Sequence, residues 1–174
     1  MILAFPAELP ITIQYRRYVP FLLKGNQMSE ETTTTVSTGF WIIASAMLVW
    51  NLIGLMFYYQ QSTLTPEAMA NAGLTAEQIA HISNTPAWGH SGYAIAVNAG
   101  VLGSIFLLLR KVWAVPMFIL SFIGVLVQDF DAIVLRDAID AWGTSALYLP
   151  ITVIIICLAE IWYSRSAKQK GLLS

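Results

Sequence analysis

Four stretches of the chain run apolar for about the 20 residues that a helix needs to cross a hydrocarbon core about 30 Å thick. They are Phe40–Tyr59, Gly89–Leu109, Val112 to about Phe130, and about Leu147–Tyr163. Aromatic side chains of the interfacial kind mark their ends, among them Trp41, Tyr59, Trp88, Trp113, Trp142 and Trp162. A soluble helical protein would keep a charged face for water on each helix, and these stretches have none. The pattern predicts an all-α fold, an antiparallel four-helix transmembrane bundle.

Between the first two stretches the pattern changes. Thr65-Pro66-Glu67 places a capping hydroxyl, a first-turn proline and an acid in the order of a helix start. Gly73 supplies a stop, and "TAEQ" from Thr75 to Gln78 has the form of a capping box that opens a second short helix, closed by Asn84 and Pro86. Met69, Leu74, Ile79 and Ile82 would rest on the membrane surface or the bundle mouth. The expectation is a short-helix external cap between helices one and two.

Polar residues inside the apolar stretches are the next signal. A buried amide without a partner costs several kcal/mol in hydrocarbon. Asn51 falls near the centre of the first stretch and shares a face with Ala44, Met47, Gly54 and Tyr58. Asn98 sits at matching depth in the second, so both are expected to face the bundle interior and bond each other. Gly92, Ala96, Gly100 and Ser104 recur every fourth residue, a ladder of small residues that admits a close neighbouring backbone. Asn98 is two residues from Ala96 and Gly100 and projects to nearly the opposite side. Helix two is therefore sandwiched, or its ladder meets a second copy. In the third stretch Ser121, Gly124, Gln128 and Asp131 form a stripe. With Tyr58, Gln60, His90 and Ser91 at a similar level, these residues outline a polar recess under the cap that narrows toward the two asparagines. Asn51, Asn98, Ser121, Gln128, Asp131 and Tyr58 are the candidate interior or solute-lining residues.

Composition sharpens the class. Charged residues make up 11% of the 174, against roughly 25% in soluble domains, and 57% are hydrophobic. A net charge of −1 implies neither nucleic acid nor an acidic surface as partner. Arg16, Arg17 and Lys24 precede the first stretch, Arg110 and Lys111 fill the second loop, and Arg165, Lys168 and Lys170 follow the fourth, whereas the first loop has no basic residue and the third only Arg136. The positive-inside bias places both termini and the Arg110-Lys111 turn in the cytoplasm. Residues 1–35 read as a leader, 36–165 as the transmembrane domain and 166–174 as a cytoplasmic tail. Residues 1–27 lack the features of a signal peptide. The codons of Lys24-Gly25 would resemble a ribosome-binding site just before Met28, so synthesis is expected to begin at Met28.

Candidate chemistry is sparse. The single cysteine, Cys157, excludes an intrachain disulfide. No ionisable residue is expected at mid-membrane, an absence that argues against a pump built on a buried carboxylate. Glu160 is read as lying about a turn from the cytoplasmic end of helix four, paired with Arg110, Lys111 or Arg165. His81 and His90 with Asp129, Asp131, Asp137 and Asp140 gather on the outer side without ligand spacing, and are read as a solvated face rather than a metal site. No nucleophile motif or phosphate-cradling loop is present, so neither catalysis nor a cofactor is expected. "LIGLMFYYQ" and "FIGVLVQDF" align Gly54 with Gly124 and Asn51 with Ser121, the outline of an internal repeat of two hairpins.

The segments "LVWNLIGLMFYYQ", "TPEAMA", "TPAW", "AIAVNAGVLGSIFLLLRKVWAVP" and "GVLVQ" resemble a family of small bacterial four-helix membrane proteins, often labelled hypothetical or, loosely, sugar transporters. The resemblance runs from Gly39 to the "RSAKQKG" near the C-terminus and implies a bacterial inner-membrane setting. It carries over no catalytic or binding residue. Two readings of function stand: a structural or accessory membrane protein, or an oligomeric small-solute transporter. Its partners are then the lipid bilayer and, on the transport reading, further copies of itself and a small-molecule solute. Convergence of Asn51, Asn98, Ser121 and Gln128 on one wettable cavity would favour transport, and polar groups paired off dry would favour the first reading.

Overall fold

The computed structural model describes residues 36–174; the leader and the start at Met28 lie outside the described residues. Among the described residues all regular structure is helical, and four helices are long and apolar enough to cross a membrane. Helix α1, Thr38–Thr63, begins where the Ser37 hydroxyl accepts the Phe40 N–H at 3.4 Å. Only Phe40, Ala44 and Asn51 are buried along it, while Ile42, Val49, Leu52, Met56 and Phe57 stand exposed. Such exposure suits hydrocarbon, which is as apolar as the side chains themselves.

The short helices α2, Pro66–Asn71, and α3, Ala76–Ser83, start at the expected caps. Thr65 Oγ1 accepts the Ala68 N–H at 3.3 Å, and Thr75 and Gln78 form a complete capping box. Gly73, at φ +91°, closes α2 with the paired bonds of a Schellman turn, Gly73 N–H to Ala70 O and Leu74 N–H to Met69 O. Met69 is buried, and Gln78 Nε2 also donates to Ala141 O at 3.4 Å.

Helix α4, Ala87–Leu108, packs against both α1 and α5. Tyr58 meets Tyr93, Gly54 faces Val97 and Asn51 meets Ser104, so positions on α4 rise in number as those on α1 fall. Helix α5, Ala114–Asp129, lies closer still. A Cβ on Gly124 would sit 2.6 Å from Ala96 N and 2.7 Å from Gly92 O, which means that the two backbones touch there. Further along, Gly103 receives the ring of Phe118. The ladder therefore serves an interface within the chain, and helix two is sandwiched.

Beyond Asp129 the third crossing continues through a π-helical turn, Phe130–Leu135, past the expected end near Phe130. Helix α6, Ala138–Trp142, and a 3-10 turn, Gly143–Leu147, lead into α7, Tyr148–Gln169. Helix α7 extends past the expected end at Tyr163 to Gln169, so the first four residues of the segment read as a tail are helix. Its last residues fold back: Leu173 is buried in a cluster with Phe40, Ala44, Leu107, Ala114, Phe118 and Ala167. Arg110 occupies the left-handed position (φ 57°) of the turn after α4, where glycine is usual, and its Nε donates to Leu172 O at 2.8 Å. The side chain thereby ties the end of α7 to the α4–α5 turn.

Candidate functional site

The polar centre of the bundle is built by α1, α4 and α7. Asn51 faces inward because Phe40 and Ala44, on the same stripe, are the residues α1 has to bury. Its Nδ2 lies 2.9 Å from Met47 O, 3.2 Å from Ser104 Oγ and 2.7 Å from Glu160 Oε1. Two hydrogens serve three acceptors, and the carboxyl oxygen is the nearest of the three. Ser104, fully buried, donates in turn to Gly100 O at 3.0 Å. Asn51 Oδ1 packs directly over Gly100, where a Cβ would overlap it, and Ser121 Oγ would stand 3.2 Å from the same point. Glycine at position 100 is what lets the amide reach the interior.

Glu160 corrects the sequence reading. It is 2% exposed and bonded to the Asn51 amide, so it points into the bundle interior and pairs with an amide rather than with a base. Among the described residues no basic side chain is within ion-pairing distance of it. Two features of the sequence carry its position. Cys157, Ser164 and Ala167 share its face, and all are buried. The helix also runs to Gln169, which moves Glu160 inward from a terminus placed too early. An ionisable residue does stand inside a candidate membrane span.

Asn98 is the second correction. It is exposed on the outer face of α4, and its Nδ2 donates to its own helix at Ala94 O, 2.8 Å away. It does not meet Asn51. The physical reason is the phase noted above: once Gly92, Ala96 and Gly100 close on α5, a residue two positions away from Ala96 and Gly100 must point away from it. Ser104, the last rung of the ladder, belongs to the Asn51 contact and not to the one with α5.

The remaining candidates are separate from one another. Ser121, buried, donates to Ala96 O at 2.7 Å and so spends its hydroxyl on the α4 backbone. Tyr58 is half-buried edge-on to Tyr93 at 5.0 Å, and Gln128 is half-buried. Asp131 is 1% exposed and paired to Arg136, whose Nη2 and Nε lie 2.6 Å and 2.8 Å from Asp131 Oδ2. The π-helical turn brings this pair about, since it carries Arg136 back over the residue five before it, where Arg136 N–H also bonds Asp131 O at 3.0 Å. Arg136 Nη1 donates further to His81 O, which joins α3 to the end of α5.

A cavity of about 360 Å³ opens beside that junction, lined by Glu77, Ala80, His81, Asn84, Arg136, Asp137, Asp140 and Ala141. None of the six candidate lining residues borders it. Burial and the Arg136 charge hold His81 below the ordinary imidazole value. Among the described residues no cluster of three or more His, Cys, Asp or Glu side chains is placed to hold a metal ion. The two positions that the repeat aligned, Asn51 and Ser121, both reach α4 at Gly100, one from α1 and one from α5. Comparison with protein-family models, with curated proteins and with solved structures found no match to this chain.

Proposed function

We propose that this membrane protein is a structural or accessory component of a bacterial inner membrane, in which polar residues lock helices together instead of lining a solute path. One observation carries the reading: Asn51, Ser121 and Asp131, three buried polar side chains of the bundle, are used on their neighbours. The Asn51 amide goes to Met47, Ser104 and Glu160, Ser121 to Ala96, and Asp131 to Arg136. Paired amides and hydroxyls are the usual glue of membrane helices. The resemblance to small bacterial four-helix membrane proteins supports the inner-membrane setting. The basic residues at positions 110, 111, 165, 168 and 170 support an arrangement with the Arg110 turn and the end of α7 in the cytoplasm and α2 and α3 outside. No catalytic role is part of this reading.

A second reading, transport of a small solute, is favoured by Glu160. A carboxyl inside a membrane span is costly to place there and typically marks an ion or proton path. Growth and uptake profiling of a deletion strain across carbon sources separates the two. The accessory reading expects no sugar-specific loss. A selective uptake defect, restored by the wild-type chain and not by Glu160→Gln, would replace it with transport. Reporter fusions after Leu74 and after Ser174 test the orientation, with the first expected outside and the second in the cytoplasm.

A further inference from the structure

The outward face of α4 carries a central amide that lipid does not call for. Ser91, Ile95, Asn98, Leu102, Ile105 and Leu109 are all exposed, and they follow one another at alternating spacings of four and three. They form one continuous face of the helix, the kind that a two-helix supercoil can use as its seam, and a polar residue stands at its centre. Ile95 and Leu102, which flank the amide, are each 45% exposed.

Asn98 is what singles out the occupant. One N–H of its amide is used on Ala94 O, and among the described residues its second N–H and its carbonyl oxygen have no partner. At the middle of a crossing neither water nor a lipid headgroup can supply one. The group lacks one donor contact and one acceptor contact, and another copy of the same amide offers both. Copies inserted with the same orientation bring Asn98 to the same depth automatically. A two-fold axis along the membrane normal then lets each amide donate to the other in a self-complementary contact. A different partner would need its own polar group at that level. The α4 ladder is consumed within the chain, so the two faces of this helix do not compete.

We infer that a second copy of this chain docks on the outer face of α4, in register through a reciprocal Asn98–Asn98 hydrogen bond. This goes beyond the accessory reading and does not depend on it. The contact would resemble the single core asparagine that fixes partner number and register in soluble coiled coils, at some loss of stability.

The test uses the full chain in lipid vesicles, with Cys157→Ser as background and single cysteines introduced along α4 from position 94 to 102. Oxidation should cross-link copies most strongly from Ile95→Cys and Leu102→Cys, which keep the Asn98 amide, and least from Val97→Cys, which is buried toward α1. Asn98→Leu removes both hydrogen bonds of the reciprocal pair and should weaken self-association roughly ten- to hundredfold. Asn98→Gln should retain most of it, and the thermal midpoint in detergent should stay unchanged because the position is outside the packed interior. Wild-type chain that counts as one copy per particle by photobleaching at all densities would overturn the inference. Cross-linking without the four-three period would do the same, as would association that Asn98→Leu leaves intact.

Discussion

Asn51 Nδ2 and Glu160 Oε1 lie 2.7 Å apart, which joins the first and last long helices of the described chain inside the bundle. The amide is the only donor to this carboxyl among the recorded hydrogen bonds of the described residues, and Ser104 completes the group. Removal of either partner leaves the other without its contact in a region that holds no water.

Asn51→Ala should therefore destabilise the detergent-solubilised protein by about 1–3 kcal/mol, the cost of leaving a buried polar group unpaired. Glu160→Gln keeps an acceptor at the same point and should cost less. The double variant should lose less than the sum of the singles, because both remove one interaction. Thermal midpoints of the four proteins check this, and additive losses would mean that the two side chains act independently.

Gly124 sits where the backbones of α4 and α5 meet, with Ala96 N 2.6 Å from the position of a Cβ. Gly124→Ala should destabilise by about 1–3 kcal/mol, since backbone atoms cannot swing aside as a side chain can. Gly54→Ala is the matched control. Its Cβ would meet Val97 Cγ1 at 3.8 Å, an ordinary contact, and its effect on the midpoint should be near zero.

The Asp131–Arg136 pair is unequal, with the acid 1% exposed and the base 18%. Arg136→Ala should cost about 3–5 kcal/mol by stranding a buried carboxylate, while Asp131→Asn with Arg136→Ala together should cost less than Arg136→Ala alone. Arg136→Ala should also free α3, because the guanidinium holds the His81 carbonyl. Hydrogen exchange of residues 76–83 should accelerate in that variant and not in Gly124→Ala.

Burial and Arg136 lower the pKa of His81 in the fold. The neutral ring is then the form that suits the folded protein, and the unfolded chain binds the proton more readily. The stability contributed by the neutral ring is full above the unfolded value of about 6.5 and is lost as pH falls below it. His81→Gln should flatten the fall in thermal midpoint between about pH 7.5 and about pH 5.5. An unchanged pH profile would assign that fall to other groups.

What the sequence could show divides along a physical line. The starts of α2 and α3 were legible because a cap is local: Thr65 and Thr75 satisfy backbone N–H groups only three residues away. The four crossings were legible because composition alone sets them, and Asn51 because small and apolar neighbours share its face. Glu160 was not, since its depth depends on where α7 ends, and Arg165, Lys168 and Lys170 made that end look earlier than it is. Asn98 was half legible. The geometry that sends it away from the ladder was in the spacing, yet its chemical likeness to Asn51 implied a pairing that the packing forbids. The π-helical turn left no mark in composition, and without it the Asp131–Arg136 pair could not be anticipated.

The Asn51–Glu160 bond also bears on biosynthesis. A translocon delivers α1 first and α7 last, so the amide waits through the insertion of two intervening crossings before its nearest acceptor exists. During that interval the carboxamide has only Met47 O and, once α4 is in place, Ser104 Oγ to turn to, and Glu160 must then enter the bilayer at a cost on the order of a few kcal/mol. Completion of the final segment would close the assembly in one step, which makes a chain halted before α7 a natural target for membrane quality control.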